Sequence, residues 1–140
     1  MKFNIDIATL IAQLDELSTL VQEVESAQLS ETLKGQSPLT VFAPDNEAFK
    51  KLPIGLAEDL HKDKEKLTAI LTYHVVNGKF MVSDLKATKK VKTVAGGILE
   101  IREQRWLQHG VKVNDAEMVE ANLECNNGVL HIIDSVLLPK

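Results

Sequence analysis

The last long β-prone run of the chain reads NGVLHIIDSVLLP and occupies residues 127–139. Side chains of a strand alternate between its faces, so the odd-numbered Val129, His131 and Ile133 share one face. The even-numbered residues form the other face, and both faces are mainly apolar, which is typical of a strand covered on both sides. We therefore predict a central strand, with His131 and Asp134 as buried or half-buried polar groups.

Shorter β-prone runs fill the region before this strand, and glycine-containing turns separate them. They lie around Val82 and at residues 91–94, 98–101, 111–113 and 118–121. No second helical period strong enough for alternating βαβ units runs between them, which favours a mainly antiparallel sheet.

The first half of the chain carries helical periodicity instead. Apolar residues recur at i, i+3, i+4 and i+7 in residues 7–14 and again in residues 17–24, which predicts two short helices or one kinked helix. Asp15 is a candidate N-cap for the second of these, and Asp45 for a further helix that Pro53 ends. The predicted class is therefore α+β, with the helices gathered on the sheet.

The clearest helical stripe spans Asp63 to Val76. Leu67, Ile70 and Leu71 form its inner face, and His74 continues that face one turn later. An imidazole in this position lies at least partly inside, where it needs hydrogen-bond partners.

Composition excludes several classes of function. The chain has 140 residues, about one domain, with 44% hydrophobic and 26% charged residues and a net charge of −4. The negative balance argues against nucleic acid as a partner. Cys125 is the only cysteine, so no intrachain disulfide and no cysteine-based zinc site can form, and the thiol is expected in the core. No metal or other cofactor and no transmembrane segment is predicted, and Met1 leads into polar residues rather than an export signal.

A hydrolase triad of His131, Asp134 and Ser135 fails on strand geometry. His131 and Asp134 fall on opposite faces, and Ser135 lies about 13 Å along the strand from His131, beyond hydrogen-bond reach. We therefore expect no serine hydrolase.

Two further features have competing interpretations. Lys86, Lys89, Lys90 and Lys92 could contact acidic glycans, but protection of an edge strand explains them more simply. Trp106 could anchor a partner, although a ring folded back over its hairpin is the favoured interpretation.

Three ordered segments resemble signatures of the fasciclin-like domain, the adhesion module of fasciclin, periostin and related surface proteins. They are TVFAPDNEAF at residues 40–49, YHVV at residues 73–76, and the closing block at residues 127–139. The resemblance implies one fasciclin-like domain over residues 1–140, a β-wedge with N-terminal helices packed alongside, and no catalysis. Its structural positions here are Thr40, Phe42, Pro44, Asp45, Phe49, Asn127, Gly128, His131 and Asp134.

The same resemblance places adhesion at the Tyr-His segment, defined here as Ile70, Leu71, Tyr73, His74, Val75 and Val76. Helical periodicity turns four of these residues inward and leaves Tyr73 and Val76 facing a partner. The alternative is a structural role, in which buried His74 ties the helix end to the sheet through Asp134.

The function implied by the resemblance is adhesion to a cell-surface or matrix protein or glycan. The implied location is secreted, periplasmic or at the cell surface. Oligomeric state is left open, with a monomer favoured. The alternative from another class is a carrier that holds a small apolar ligand between the helices and the sheet.

Overall fold

The structure is a computed structural model that describes residues 3–34, 38–104, 106 and 110–138, apart from the side chain at position 61. Pro139, the last residue of the predicted closing block, lies outside the described residues. The helices are α1 (Ile7–Gln13), a 3₁₀ turn (Asp15–Leu17), α2 (Ser18–Ser26), α3 (Ser30–Leu33), α4 (Asn46–Lys50), α5 (Ile54–Lys62), α6 (Lys64–Thr72) and α7 (Val82–Thr88). The strands are β1 (Leu39–Pro44), β2 (Val75–Asn77), β3 (Lys90–Lys92), β4 (Ile98–Glu103), β5 (Val111–Val113), β6 (Ala116–Cys125) and β7 (Gly128–Ile133).

The seven strands form one sheet in the order β2-β1-β7-β6-β5-β4-β3. All neighbours are antiparallel except β1 and β7, which run parallel with Thr40 opposite Val129. A single bridge between Val76 and Thr93 brings the two outer strands together. The sheet is therefore nearly closed into a barrel, and the predicted α+β class is confirmed.

Strand β7 is central, as its two apolar faces predicted. It lies between β1 and β6, and all six of its residues are buried. The strand ends at Ile133, and the chain bends at Asp134. The Asp134 N–H donates to the Glu117 carbonyl oxygen of β6 (3.0 Å). The β-prone run at residues 129–138 is thus a strand followed by a bent segment.

Alternation along β7 divides the interior into two cores. Leu130 and Ile132 face a core shared with α1, α2 and α6, whereas Ile133 faces a second core inside the curved sheet. Leu85 of α7 closes this second core and is fully buried.

Two predicted elements were wrong near the middle of the chain. The region around Val82 is helix α7 rather than a strand, because Val82 and Leu85, one helical turn apart, pack onto the sheet. Asp84 accepts from the Met81 N–H (3.0 Å) and satisfies a donor at the helix start. The predicted helix at residues 63–76 ends at Thr72, because Val75 and Val76 pair with β1.

Helix caps follow the sequence in part. Asp45 accepts from the Ala48 N–H (2.8 Å) and caps α4, and Asp63 accepts from the Lys66 N–H (3.2 Å) and caps α6. Asp15, however, does not cap α2. Asn46 reaches across from α4 and accepts from the Thr19 N–H (2.9 Å) instead.

Within the described ranges, no helix combines the length and apolar character needed to cross a bilayer.

Candidate functional site

The Tyr-His segment lies where α6 ends and β2 begins, and it is buried. Ile70, Leu71, His74 and Val75 point inward as predicted. The outward orientation predicted for Tyr73 and Val76 is wrong, because they are only 4% and 2% exposed. Helical periodicity stops at Thr72, and β2 is covered on both faces.

His74 joins the end of α6 to the segment after β7. Its Nδ1–H donates to the Ile70 carbonyl oxygen (2.8 Å), and its Nε2 accepts from the Leu137 N–H (2.8 Å). Only a neutral imidazole can make both bonds. Burial away from water lowers the pKa of His74 to about 4, against an opposing contribution from the bond to Ile70.

The predicted link from His74 to Asp134 is not formed. The Asp134 carboxylate accepts from the Glu117 N–H (2.9 Å) and the Ser135 hydroxyl (3.3 Å). The predicted structural role of His74 is therefore correct in two respects, since its side chain is buried and connects the end of α6 to another segment. The partner of its imidazole, however, is the Leu137 backbone N–H rather than a carboxylate. A backbone donor leaves no residue-type signal in the sequence.

The buried Tyr73 side chain contacts the turn between β3 and β4 on the side that faces the core. Its hydroxyl donates to the Ile98 carbonyl oxygen (3.0 Å) and accepts from the Asn114 side-chain amide (3.2 Å). Gly97 lies directly on the ring, since a Cβ there would be 2.7 Å from Tyr73 Cε1. Tyr73 thus holds two turns in place without reaching the surface.

Two exposed apolar residues, Val94 and Ile98, lie at the two ends of this turn and are called here the Val94/Ile98 patch. Val94 is 41% exposed and Ile98 is 56% exposed. The backbone of Val94 donates to the Val75 carbonyl oxygen (2.8 Å), and that of Ile98 accepts from Tyr73. The buried segment therefore sets the position of an exposed one.

The first signature, residues 40–49, forms most of β1 and of α4. The Thr40 hydroxyl donates to the Gly78 carbonyl oxygen (2.7 Å) and accepts from the Phe80 N–H (2.8 Å). Pro44 ends β1 opposite Ile133, and half-buried Phe49 packs against the helical core. These positions shape the fold rather than a surface.

Phe42 links this signature to the closing block. Its ring stacks on that of His131, with centroids 5.6 Å apart. His131 is fully buried, its Nδ1 accepts from the Asn122 N–H (3.1 Å), and its Nε2–H donates to the Phe80 carbonyl oxygen (2.8 Å).

Asn127 and Gly128 join three elements at the start of β7. The Asn127 side chain accepts from the Ile7 N–H (2.9 Å) of α1 and donates to the Leu33 carbonyl oxygen (2.7 Å) of α3. Gly128 has φ +150°, and a Cβ there would collide with the Leu39 carbonyl oxygen.

The side chains of His74, His131 and Cys125 are buried and not available for catalysis at the surface. Both ring nitrogens of His74 and of His131 are engaged, so neither imidazole has a nitrogen left to accept a substrate proton. Cys125 is buried, and burial raises the pKa of its thiol to about 11, with a smaller contribution from Asp6. The thiolate that a nucleophile requires is therefore suppressed at neutral pH.

The space between helices and sheet does not favour the carrier alternative. The cavity there measures about 30 Å³ and is lined by apolar groups that include Leu20, Val41 and Leu71. Pockets that hold a small ligand measure roughly 300–1,000 Å³. A space of this size holds water at most.

The predictions for two surface features, Trp106 and the lysines, have different outcomes. The folded-back position of Trp106 is wrong, because the residue is 82% exposed. The edge-strand position of the lysines is confirmed for Lys90 and Lys92, which lie exposed on β3 at one end of the sheet order. It is wrong for Lys86, which lies in α7, and for Lys89, which caps the end of that helix.

Comparisons with known proteins show which family the chain belongs to. A family model described as the Fasciclin domain matches residues 15–139. Protein sll1483 of Synechocystis sp. is 42% identical over 127 residues, an alignment that covers 89% of this chain and 68% of that protein. Transforming growth factor-beta-induced protein ig-h3 of Sus scrofa is 38% identical over 125 residues, covering 89% of this chain and 18% of its own.

A solved structure shares the fold. It is a FAS1 domain pair from the insect cell adhesion molecule Fasciclin I, with a TM-score of 0.81 and 16% identity. The alignment covers 96% of this chain and 51% of that one, so this chain spans about half of the domain pair. On the match of the family model to residues 15–139, the chain belongs to the fasciclin domain family.

Proposed function

We propose that this protein is a non-catalytic interaction module that attaches to a cell-surface or matrix protein or glycan from a secreted, periplasmic or surface position. The family match over residues 15–139 carries the proposal. One solved relative is described as an insect cell adhesion molecule. The engaged ring nitrogens of His74 and His131 support the non-catalytic part, because they leave no free base at either position.

Within this function, the Tyr-His segment acts as a support rather than as the contacting surface. Tyr73 and His74 are 4% and 3% exposed, which leaves little side-chain area for a partner. Their hydrogen bonds hold the backbone of Ile98 and Leu137. The contacting surface then includes the Val94/Ile98 patch that the segment positions.

Attachment of the purified protein, coated on beads, to cultured cells and to plated extracellular matrix tests this proposal. The Val94→Ser/Ile98→Ser variant is expected to reduce attachment without lowering the melting temperature. Ile54→Ser is the matched control, because Ile54 is 79% exposed at the start of α5, outside the patch. It should leave attachment and melting temperature unchanged.

Tyr73→Phe separates support from contact. It removes a hydroxyl with two hydrogen bonds, which should lower the free energy of unfolding by about 1 to 3 kcal/mol. Attachment measured well below the melting temperature should persist. Loss of attachment in a folded Tyr73→Phe protein whose amide NMR shifts at residues 93–98 are unchanged would contradict the supporting role. Absence of saturable attachment by the unmodified protein would contradict the module itself.

A further inference from the structure

We propose that the groove beside β3 binds an extended acidic segment of a partner protein, which adds to the sheet as a short strand along the outer edge of β3. This inference rests on the proposed function, since it names the chemistry of a partner for an interaction module. The groove, called here the β3 groove, measures about 650 Å³. Its lining includes Asn77, Phe80, Thr88, Lys90, Val91 and Lys92.

Strand β3 presents backbone groups to this groove. The odd-numbered residues on either side of β3 bond toward β4. The Lys89 carbonyl oxygen accepts from the Ile101 N–H of β4, and the Thr93 N–H donates to the Gly97 carbonyl oxygen in the turn before β4, both at 2.8 Å. Peptide groups alternate in direction along a strand, so the N–H and C=O of Lys90 point away from β4.

The strand on that side stops short of Lys90. Strand β2 meets the β3 end of the sheet through one bridge, between Val76 and Thr93, and its last residue is Asn77. Beyond Asn77 the chain turns at Gly78, whose N–H donates to the Pro38 carbonyl oxygen (2.8 Å). In the part of the chain that the structure describes, no strand covers the outer edge of β3 at Lys90.

The side chains around this edge select negative charge. Lys90 and Lys92 are exposed, and among the described residues neither forms an ion pair. The acidic residue opposite Lys90 on β4 is Glu100, whose carboxylate lies 3.6 Å from the Arg102 guanidinium. The two lysines are therefore available to external carboxylates.

Their spacing matches a strand. Because Val76 pairs with Thr93, Asn77 takes the place opposite Lys92, and an added strand pairs at Lys90. Residues i and i+2 of a strand lie on the same face about 7 Å apart, so a carboxylate opposite Lys90 is also within reach of the long Lys92 side chain. Val91 points the other way, into the core, and Phe80 lies in the groove beside it. The occupant that fits is an extended segment with acidic residues at alternate positions and an apolar residue between them.

A second copy of this chain is a poor occupant, because pairing β3 with itself would place lysine against lysine. Lysines on an edge strand discourage such pairing, and the same charges favour an acidic strand.

A fluorescein-labelled peptide with the sequence Glu-Val-Glu-Val-Glu is the probe, measured by fluorescence anisotropy against the full chain. We expect saturable binding that weakens with added salt. Lys90→Gln/Lys92→Gln should weaken binding about tenfold, because it removes two charge pairs. The matched control is Lys64→Gln/Lys66→Gln, which removes two lysines at the same spacing from α6, outside the groove, and should leave binding unchanged.

A second peptide tests the backbone contact. It carries the same charges but is N-methylated at every peptide nitrogen, so that no residue can donate to a strand edge in either strand direction. It should bind at least tenfold more weakly than the unmodified peptide. Equal binding of the two peptides, or equal loss in the two lysine variants, would overturn the proposal.

Two further outcomes separate this inference from the proposed function. If bead attachment is retained while the acidic peptide does not bind, the β3 groove assignment is wrong and the interaction module stands. If a sulfated oligosaccharide binds in place of the peptide, the strand-addition proposal is likewise overturned.

Discussion

His74 should make the stability of this protein pH-dependent between its unfolded and folded pKa values. The unfolded chain takes up a proton at its ordinary pKa of 6.5, whereas in the folded protein burial lowers that pKa to about 4. Between these values the unfolded state binds more protons than the folded state, so stability falls as the pH falls. The contribution is fully present above 6.5 and is lost on acidification.

The size of the effect follows from the separation of the two pKa values. A separation from 6.5 to about 4 corresponds to roughly 3 kcal/mol of unfolding free energy lost by pH 4. This is a substantial part of the roughly 5 to 15 kcal/mol that stabilises a typical domain. In a domain of this size it lowers the melting temperature by roughly 10 °C.

Urea unfolding of the unmodified protein and of His74→Gln, at several pH values between 7 and 4, measures the contribution. Glutamine does not titrate, and its amide oxygen can accept from the Leu137 N–H. The variant should be about 1 to 3 kcal/mol less stable at pH 7, because the bond to Ile70 is lost. Its stability should then fall less steeply, so that the two curves converge toward pH 4. Other histidines and carboxylates contribute equally to both proteins, and parallel curves would refute the reasoning.

Three more predictions concern the start of β7 and its neighbour. Gly128→Ala should prevent folding or lower the melting temperature severely, because its Cβ meets the Leu39 carbonyl oxygen, and a native-like circular dichroism melt would contradict this. Asn127→Ala leaves buried backbone groups of α1 and α3 without a partner, so chemical denaturation should show a loss of about 2 to 5 kcal/mol. The Cys125 thiol, with its pKa raised to about 11, should react with a disulfide reagent far more slowly in the folded protein than in urea. Equal rates of reaction would show that the thiol is accessible.

The sequence predicted those parts of the fold where one face or both faces of an element are buried. The two-sided apolar pattern of residues 129–133 correctly placed β7 at the centre, and Asp45 was recognisable because an N-cap acts within its own helix. Helix α7 was missed because its stripe has only two buried positions, Val82 and Leu85, too few to show a period. The sequence does not predict α5, because Pro53 stands both after the α4 stripe and directly before the first residue of α5, and only the first of these positions is evident from the pattern.

The candidate site was less predictable, since its geometry depends on contacts distant in the chain. His74 was correctly expected to be buried, but its partner is a backbone N–H beyond β7. Tyr73 was expected at the surface because the helix was extended past Thr72, and strand pairing at Val75 ended the helix earlier. The open edge of β3 depends on where β2 stops, which only the assembled sheet shows.

The parallel pairing of β1 with β7 has a consequence for how the protein is made. Thr40 finds its partner in Val129, so the middle of the sheet joins segments separated by most of the chain. Such high contact order slows folding, because a long loop must close before the contacts form. During synthesis, β1 has no neighbour on this side until residues 128–133 have left the ribosome. Until then the unpaired backbone edge of β1 and its apolar side chains are exposed to other nascent chains. Protection by a chaperone would matter most at that stage.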